Sequence, residues 1–180
     1  MKRLVLSAFG LCLFIACAAS AFAACDGVSM DVCFRPGANA CDGQVVEAIN
    51  GARRTLLVQA YGFTHPQIVS AIGNARKRGV DVRVILDKTN LPAKNGKSRY
   101  TGLTYLENAH VPVRIDDRVA IAHNKVMVID GQLVIGGSYN YTRSAEQRNA
   151  ENMTFSRSVC VANLFRDNFE RRWTASAPVG

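Results

Sequence analysis

The sequence predicts an α/β fold in which a mixed, largely parallel central β-sheet carries helices on both faces. Three observations point there. Between residues 42 and 86, segments with helical apolar spacing alternate with short β-branched runs. Beyond residue 123, two apolar runs are joined by Asp130-Gly131, a two-residue hairpin turn. The chain is also the size of one compact domain with a single core.

Each element has its own local reason. Asp31 to Phe34 reads as a short strand stopped by Pro36-Gly37. Asp42 to Ala52 reads as a helix, with Val45, Val46, Ile49 and Ala52 at helical spacing. Arg54 to Tyr61 is a buried strand around Thr55-Leu56-Leu57-Val58. Thr64 is the expected N-cap of the next helix, with Pro66 just inside it; that helix runs through Ile68, Val69, Ile72 and Ala75 to Arg78, and Gly79 ends it. Val80 to Leu86 is a strand whose alternation sets Val80, Val82, Val84 and Leu86 on one face and Asp81, Arg83 and Ile85 on the other. A helix near Tyr100 to Ala109 and a strand at Val111 to Ile115 complete the first half, where the sheet is expected to be parallel. The second half is hairpin-like: His123 to Ile129, then Leu133 to Gly136, a later strand at Glu151 to Phe155, and an amphipathic closing helix from Val159 to Trp173.

The N-terminus is set apart from this fold. Met1-Lys2-Arg3 is basic, Leu4 to Ala24 is uncharged, and Ala21-Phe22-Ala23 ends the run with small residues where a signal peptidase reads. A signal peptide over 1–23 and a single catalytic domain over 24–180 are therefore expected, with no stable membrane span after cleavage. A retained anchor and a lipoprotein acylated on Cys25 are the alternatives, although Phe22 suits the second poorly. Removing residues 1–23 from 180 leaves 157, and the formal charge falls from +8 to +6 as Lys2 and Arg3 leave. That balance favours polyanions, nucleic acid or anionic lipid, as partners, beside the plainer reading of a basic exported protein without one. Lys88 to Arg99 is polar and holds Lys88, Lys94, Lys97 and Arg99 with no acid. It is either a solvated loop or a rim that tracks substrate phosphates.

Four cysteines remain after cleavage, an even number consistent with disulfides in a periplasmic or secreted protein. Cys33 and Cys41 flank the turn-rich Arg35-Pro36-Gly37-Ala38-Asn39, which favours a 33–41 bridge, and Cys25–Cys160 follows by subtraction. The spacing does not suit zinc.

Chemistry concentrates in His123-Asn124-Lys125-Val126-Met127-Val128-Ile129-Asp130. If this is all strand, His123 and Lys125 point to one face and set an imidazole beside an ammonium, as attack on a phosphodiester requires. Asp130 has the opposite parity and is expected to stabilise the turn rather than touch substrate. His65 and His110 lack such companions and read as structural. Tyr139 and Tyr141 read as packing, with base stacking as the alternative, and Gly136-Gly137 as a bulge. Asp116-Asp117 is adjacent on a strand, so its carboxylates diverge and form no metal cluster.

His-x-Lys-x-x-x-x-Asp, then Gly136-Gly137-Ser138-x-Asn140, then Glu151, resembles the phospholipase D superfamily of HKD phosphodiesterases. The segments Leu-Val-Gln-Ala-Tyr-Gly-Phe-Thr and Arg-Gly-Val-Asp-Val-Arg-Val-Ile-Leu-Asp extend the likeness, in particular to the small secreted bacterial nucleases that carry one motif per chain. The resemblance implies that His123 is the nucleophile, forming a phosphohistidine, and that Glu151 holds its Nδ1–H. It implies that Lys125 and Asn140 bind the non-bridging oxygens, with Ser138 adding a hydrogen bond. It also implies a homodimer whose twofold axis joins two motifs into one site, with no metal and no cofactor. Nucleic acid is the expected substrate, a phospholipid such as phosphatidylcholine the alternative, and a non-catalytic polyanion-binding module the third reading.

Overall fold

In the computed structural model, residues 24–92 and 102–179 are described. The expected leader at 1–23 and the cations Lys94, Lys97 and Arg99 lie outside them.

Eight strands form one sheet among the described residues: β1 (Ser29–Arg35), β2 (Thr55–Ala60), β3 (Asp81–Asp87), β4 (Val113–Asp116), β5 (Lys125–Ile129), β6 (Leu133–Gly137), β7 (Glu151–Arg157) and β8 (Ala177–Pro178), in the order β1-β7-β6-β5-β2-β3-β4-β8. The helices are α1 (Cys41–Gly51), α2 (Pro66–Lys77), α3 (Leu103–Asn108), α4 (Arg143–Gln147) and α5 (Val159–Ala175). The mixed sheet flanked by helices is the expected class, but parallel pairing is confined to β2–β3 and β3–β4. The other neighbours are antiparallel: the hairpin β5–β6 and its extension β7–β1 dock against β2 from the other side, and the short β8 returns along β4.

Strand alternation sorts the core. Val82, Val84 and Leu86 of β3 join Leu56, Val58, Met127 and Ile135 under α1 to α3, while Ile85 turns to the other face with Leu57, Val128 and Val134 beneath Ala162 and Phe169 of α5. Arg83 shares that second face, its guanidinium stacked 5.5 Å from Phe169 and bonded to Glu170. Toward the β1 edge α5 runs out, and Met30, Val32 and Phe34 stay exposed there.

Local differences have physical causes. The N-cap of α2 is His65, not Thr64, because the Thr64 and His65 amides both donate to the Tyr141 carbonyl and hold the chain extended up to Pro66. Gly136-Gly137 forms no bulge; β6 pairs with β7 in register through both residues. A Cβ on Gly137 would sit 2.3 Å from the Asn152 carbonyl, so close backbone approach is what this glycine serves. The short α4 and β8 carry no periodic pattern long enough to read from sequence. Both disulfides, Cys33–Cys41 and Cys25–Cys160, are formed. Among the described residues no helix is long and apolar enough to cross a membrane.

Candidate active site

The site lies where β5 begins and β6 ends. His123 does not belong to β5; the strand starts at Lys125, so the two side chains are not strand neighbours as the alternation suggested. His123 instead closes an irregular segment after β4, and that segment is tied down by β3. Asp87, buried at the end of β3, accepts from the Ala122 amide (2.7 Å) and the Thr89 amide (2.9 Å), and Lys88 Nζ donates to the Val119 carbonyl (3.2 Å). Burial pushes the Asp87 carboxyl up, but the two backbone amides outweigh it and hold it below its ordinary value, ionised. The outcome is an exposed imidazole on a fixed stem.

Lys125 is buried, and its ammonium donates to the His123 carbonyl at 2.8 Å. Burial lowers its pKa and the nearby Glu151 charge partly restores it. The ring of Tyr61 lies 5.3 Å beneath this ammonium and meets the His123 imidazole edge-on at 4.7 Å.

The second half of the site comes from 138–151. Ser138 and Asn140 alternate with Tyr139 and Tyr141, whose side chains are wholly buried, so the base-stacking alternative for the tyrosines does not apply. Tyr139 OH donates to buried Glu146 (3.0 Å), and the Arg35 guanidinium binds the same carboxylate (3.1 Å). Asn140 Oδ1 accepts from the Gly62 amide at 3.1 Å; only the oxygen can accept, so the amide NH₂ is left for another partner. A Cβ at Gly62 would come 3.1 Å from that same oxygen. Glu151 Oε2 accepts from Ser138 Oγ and Oε1 from Asn149 Nδ2 (2.8 Å). The hydrogen bond from His123 to Glu151 that the resemblance implies is not made here.

The structure thus brings His123, Lys125, Ser138, Asn140 and Glu151 to one end of the sheet. It sends Asp130 to the other end, where its carboxylate accepts from the amides of Arg53, Arg54 and Thr55 at 2.7–2.9 Å and is kept ionised by them against the upward push of burial. Lys88 is occupied with Val119. His65 pairs with Asp42 (3.1 Å) below the surface, away from the motif. Asp116 is committed to Arg172, and among the described residues no three His, Cys, Asp or Glu side chains gather as a metal would require. Sequence reasoning passed over Tyr61, Gly62, Asp87 and Asn149. The first two were visible as an aromatic and a glycine at the end of an apolar strand, and Asp87 as the acid ending another.

An exposed imidazole, a desolvated ammonium, and amide and hydroxyl donors at one end of the sheet are groups that can bind and attack a phosphodiester. Residues 45–173 match the family described as cardiolipin synthase, PLD-like domain. A phospholipase D of Rickettsia prowazekii is 39% identical over 150 residues, covering 83% of this chain and 70% of that protein. The mouse mitochondrial cardiolipin hydrolase is 32% identical over 146 residues, covering 81% of this chain and 64% of that one. Among solved structures, the phospholipase D family member Nuc from Salmonella typhimurium superimposes with a TM-score of 0.74 at 30% identity, over 85% of this chain and 99% of its own. The chain belongs to the phospholipase D superfamily, and its activity is that of a phosphodiesterase.

Proposed function

We propose that this protein is an exported endonuclease of low sequence specificity that works as a homodimer, through a phosphohistidine on His123 and without a metal ion. The observation that carries the reading is the exposed His123 imidazole fixed beside the buried Lys125 ammonium. His123 attacks phosphorus, the bond to the leaving oxygen breaks, and His123 of the second subunit protonates that oxygen. Water, deprotonated by the second imidazole, then displaces the first and releases the phosphate monoester. Lys125 and the free amide of Asn140 face the non-bridging oxygens, while Glu151 supports the charge of Lys125 and orients Ser138. Two copies of Lys125 across the twofold axis supply positive charge that other nucleases draw from divalent ions.

Dimerisation is supported by what α5 leaves bare. Met30, Val32 and Phe34 are 54%, 47% and 62% exposed on β1, and on the same face a groove lined by Val126, Gly136, Thr154 and Phe165 leads to His123. A self-complementary apolar patch beside a half-site is what a twofold contact needs. Nucleic acid as substrate is supported by the net charge and by a second groove off the site, where Thr64, Thr89, Thr142, Ser144 and Arg143 share the lining with Tyr61 and Phe63. Its hydroxyls and one cation suit a sugar–phosphate chain. The two disulfides and the expected leader at 1–23 support an oxidising, periplasmic or secreted location. A second reading, hydrolysis of a phospholipid head group, is favoured by the names of the relatives and by the same apolar face.

The experiment is incubation of the purified protein with plasmid DNA and with phosphatidylcholine or cardiolipin vesicles, all in EDTA. Nicking in EDTA that disappears in His123→Ala is the expected result. Head-group release without nicking establishes the lipid reading, and loss of all activity in EDTA rules out the metal-free mechanism.

A further inference from the structure

The end of β2 contributes something the motif does not contain. Antiparallel pairing matches Ala60 with Lys125, so the next residue of β2, Tyr61, is carried across the start of β5 to the stretch that holds His123. Its backbone is not free to drift: the Tyr61 carbonyl accepts from Nδ2 of Asn90 at 2.7 Å, and Asn90 is buried and bonds the Asp87 carbonyl with the same nitrogen. The β3 corner that holds the stem of His123 through Asp87 and Ala122 therefore also holds Tyr61 through Asn90.

The ring lies against the side chains of both His123 and Lys125. It meets His123 with centroids 4.7 Å apart and planes at 64°, and it presents its face to Lys125 Nζ at 5.3 Å. An imidazole on an exposed stem has two rotatable bonds, a staggered χ1 and a broad χ2, and would sample several rotamers; an aromatic ring packed against it removes some of them. The ammonium of Lys125 has lost water and, among the described residues, has one hydrogen bond, to the His123 carbonyl, so a π-face is a second stabilising partner that accepts no proton from it. Among the described residues the Tyr61 hydroxyl makes no hydrogen bond to the motif, so the role is assigned to the ring.

We propose that Tyr61 is a positioning residue for the phosphodiesterase reaction: its ring fixes the rotamer of His123 and keeps the Lys125 ammonium turned toward the substrate phosphate. The inference rests on His123 being the nucleophile. The ring works on groups already placed by the backbone, so it acts on the reacting geometry and leaves substrate capture to other contacts.

The test uses bis(p-nitrophenyl) phosphate, a phosphodiester with neither base nor acyl chain, and the full-length protein. Tyr61→Leu is expected to lower kcat roughly 10- to 100-fold with KM within about twofold, the loss typical of a misplaced reacting group. Tyr61→Phe is expected to keep at least half of the wild-type kcat, which a need for the hydroxyl would not allow. Should Tyr61→Leu fail to fold, Tyr61→Met, which keeps apolar length without a ring face, is read in the same way. Wild-type turnover in the Leu or Met variant overturns the role of Tyr61, as does equal loss in Tyr61→Phe and Tyr61→Leu. If those results come with an inactive His123→Ala, the nucleophile assignment survives alone; an active His123→Ala overturns both.

Discussion

Lys125 ends in an ammonium that has left most of its water behind, and the price is visible in its protonation. Burial lowers its pKa from the ordinary 10.5, and the Glu151 charge pulls it partly back. Since only the protonated form holds a phosphate oxygen, the affinity of the His123→Ala protein for bis(p-nitrophenyl) phosphate should be lost as pH rises, with a midpoint below 10.5. Binding is the readout because the proposed acid imidazole must be protonated too, so the alkaline limb of kcat does not report on Lys125 alone. Glu151→Gln removes the restoring charge, so in the same background the midpoint should move to still lower pH; a pH titration of binding by both proteins checks this, and an unmoved or rising midpoint contradicts it. At this scale the sequence was highly informative about identity and poor about direction. The motif, through the family it resembles, named His123, Lys125, Ser138, Asn140 and Glu151, which lie at one end of the sheet. It misjudged how they meet, because an offset of two residues at the start of β5 takes His123 off the strand, and because Glu151 found nearer donors in Ser138 and Asn149. Asp130 shows the reverse: its opposite parity and its place at the hairpin turn set it apart from the site, and three backbone amides account for what it does instead.

Among the elements, the loop closed by Cys33–Cys41 reaches further than its size suggests. It carries Arg35, which bonds Glu146 of α4, and β1 sets Arg35 opposite Glu151 in the ladder. Opening the bridge should therefore both unfold more easily and loosen the 138–151 wall of the site. A closed loop spanning a separation of 8 residues implies about 2.5 kcal/mol from chain entropy. Urea unfolding of the Cys33→Ser, Cys41→Ser protein should show that loss, with a fall in kcat; unchanged stability would count against it. Strongly periodic elements such as β3 and α5 were legible to within a residue or two. Elements made by contact were not: α4 exists because Glu146 and Ala145 are drawn inward, β8 because it meets β4, and the cap of α2 because Tyr141 collects two amides. Antiparallel docking of β5 on β2 was equally invisible, since local pattern does not state which strands become neighbours across the chain.

For the whole molecule, the bare end of the sheet and the half-site point the same way. The proposed dimer predicts that Phe34→Asp, which places a charge on the uncovered face of β1, shifts the protein from dimer to monomer in sedimentation. Turnover should drop at least 100-fold with it, although Phe34 is not itself one of the motif residues. A fully active monomer would exclude a shared site.

The bridge between Cys25 and Cys160 has a last consequence. It ties one end of the described chain to the first turn of α5 and encloses a sequence separation of 135 residues. A single proteolytic cut anywhere inside that span leaves two fragments on one covalent tether, each still pressed against its sheet partners. Damage that would release a piece of an ordinary domain is here retained within the molecule.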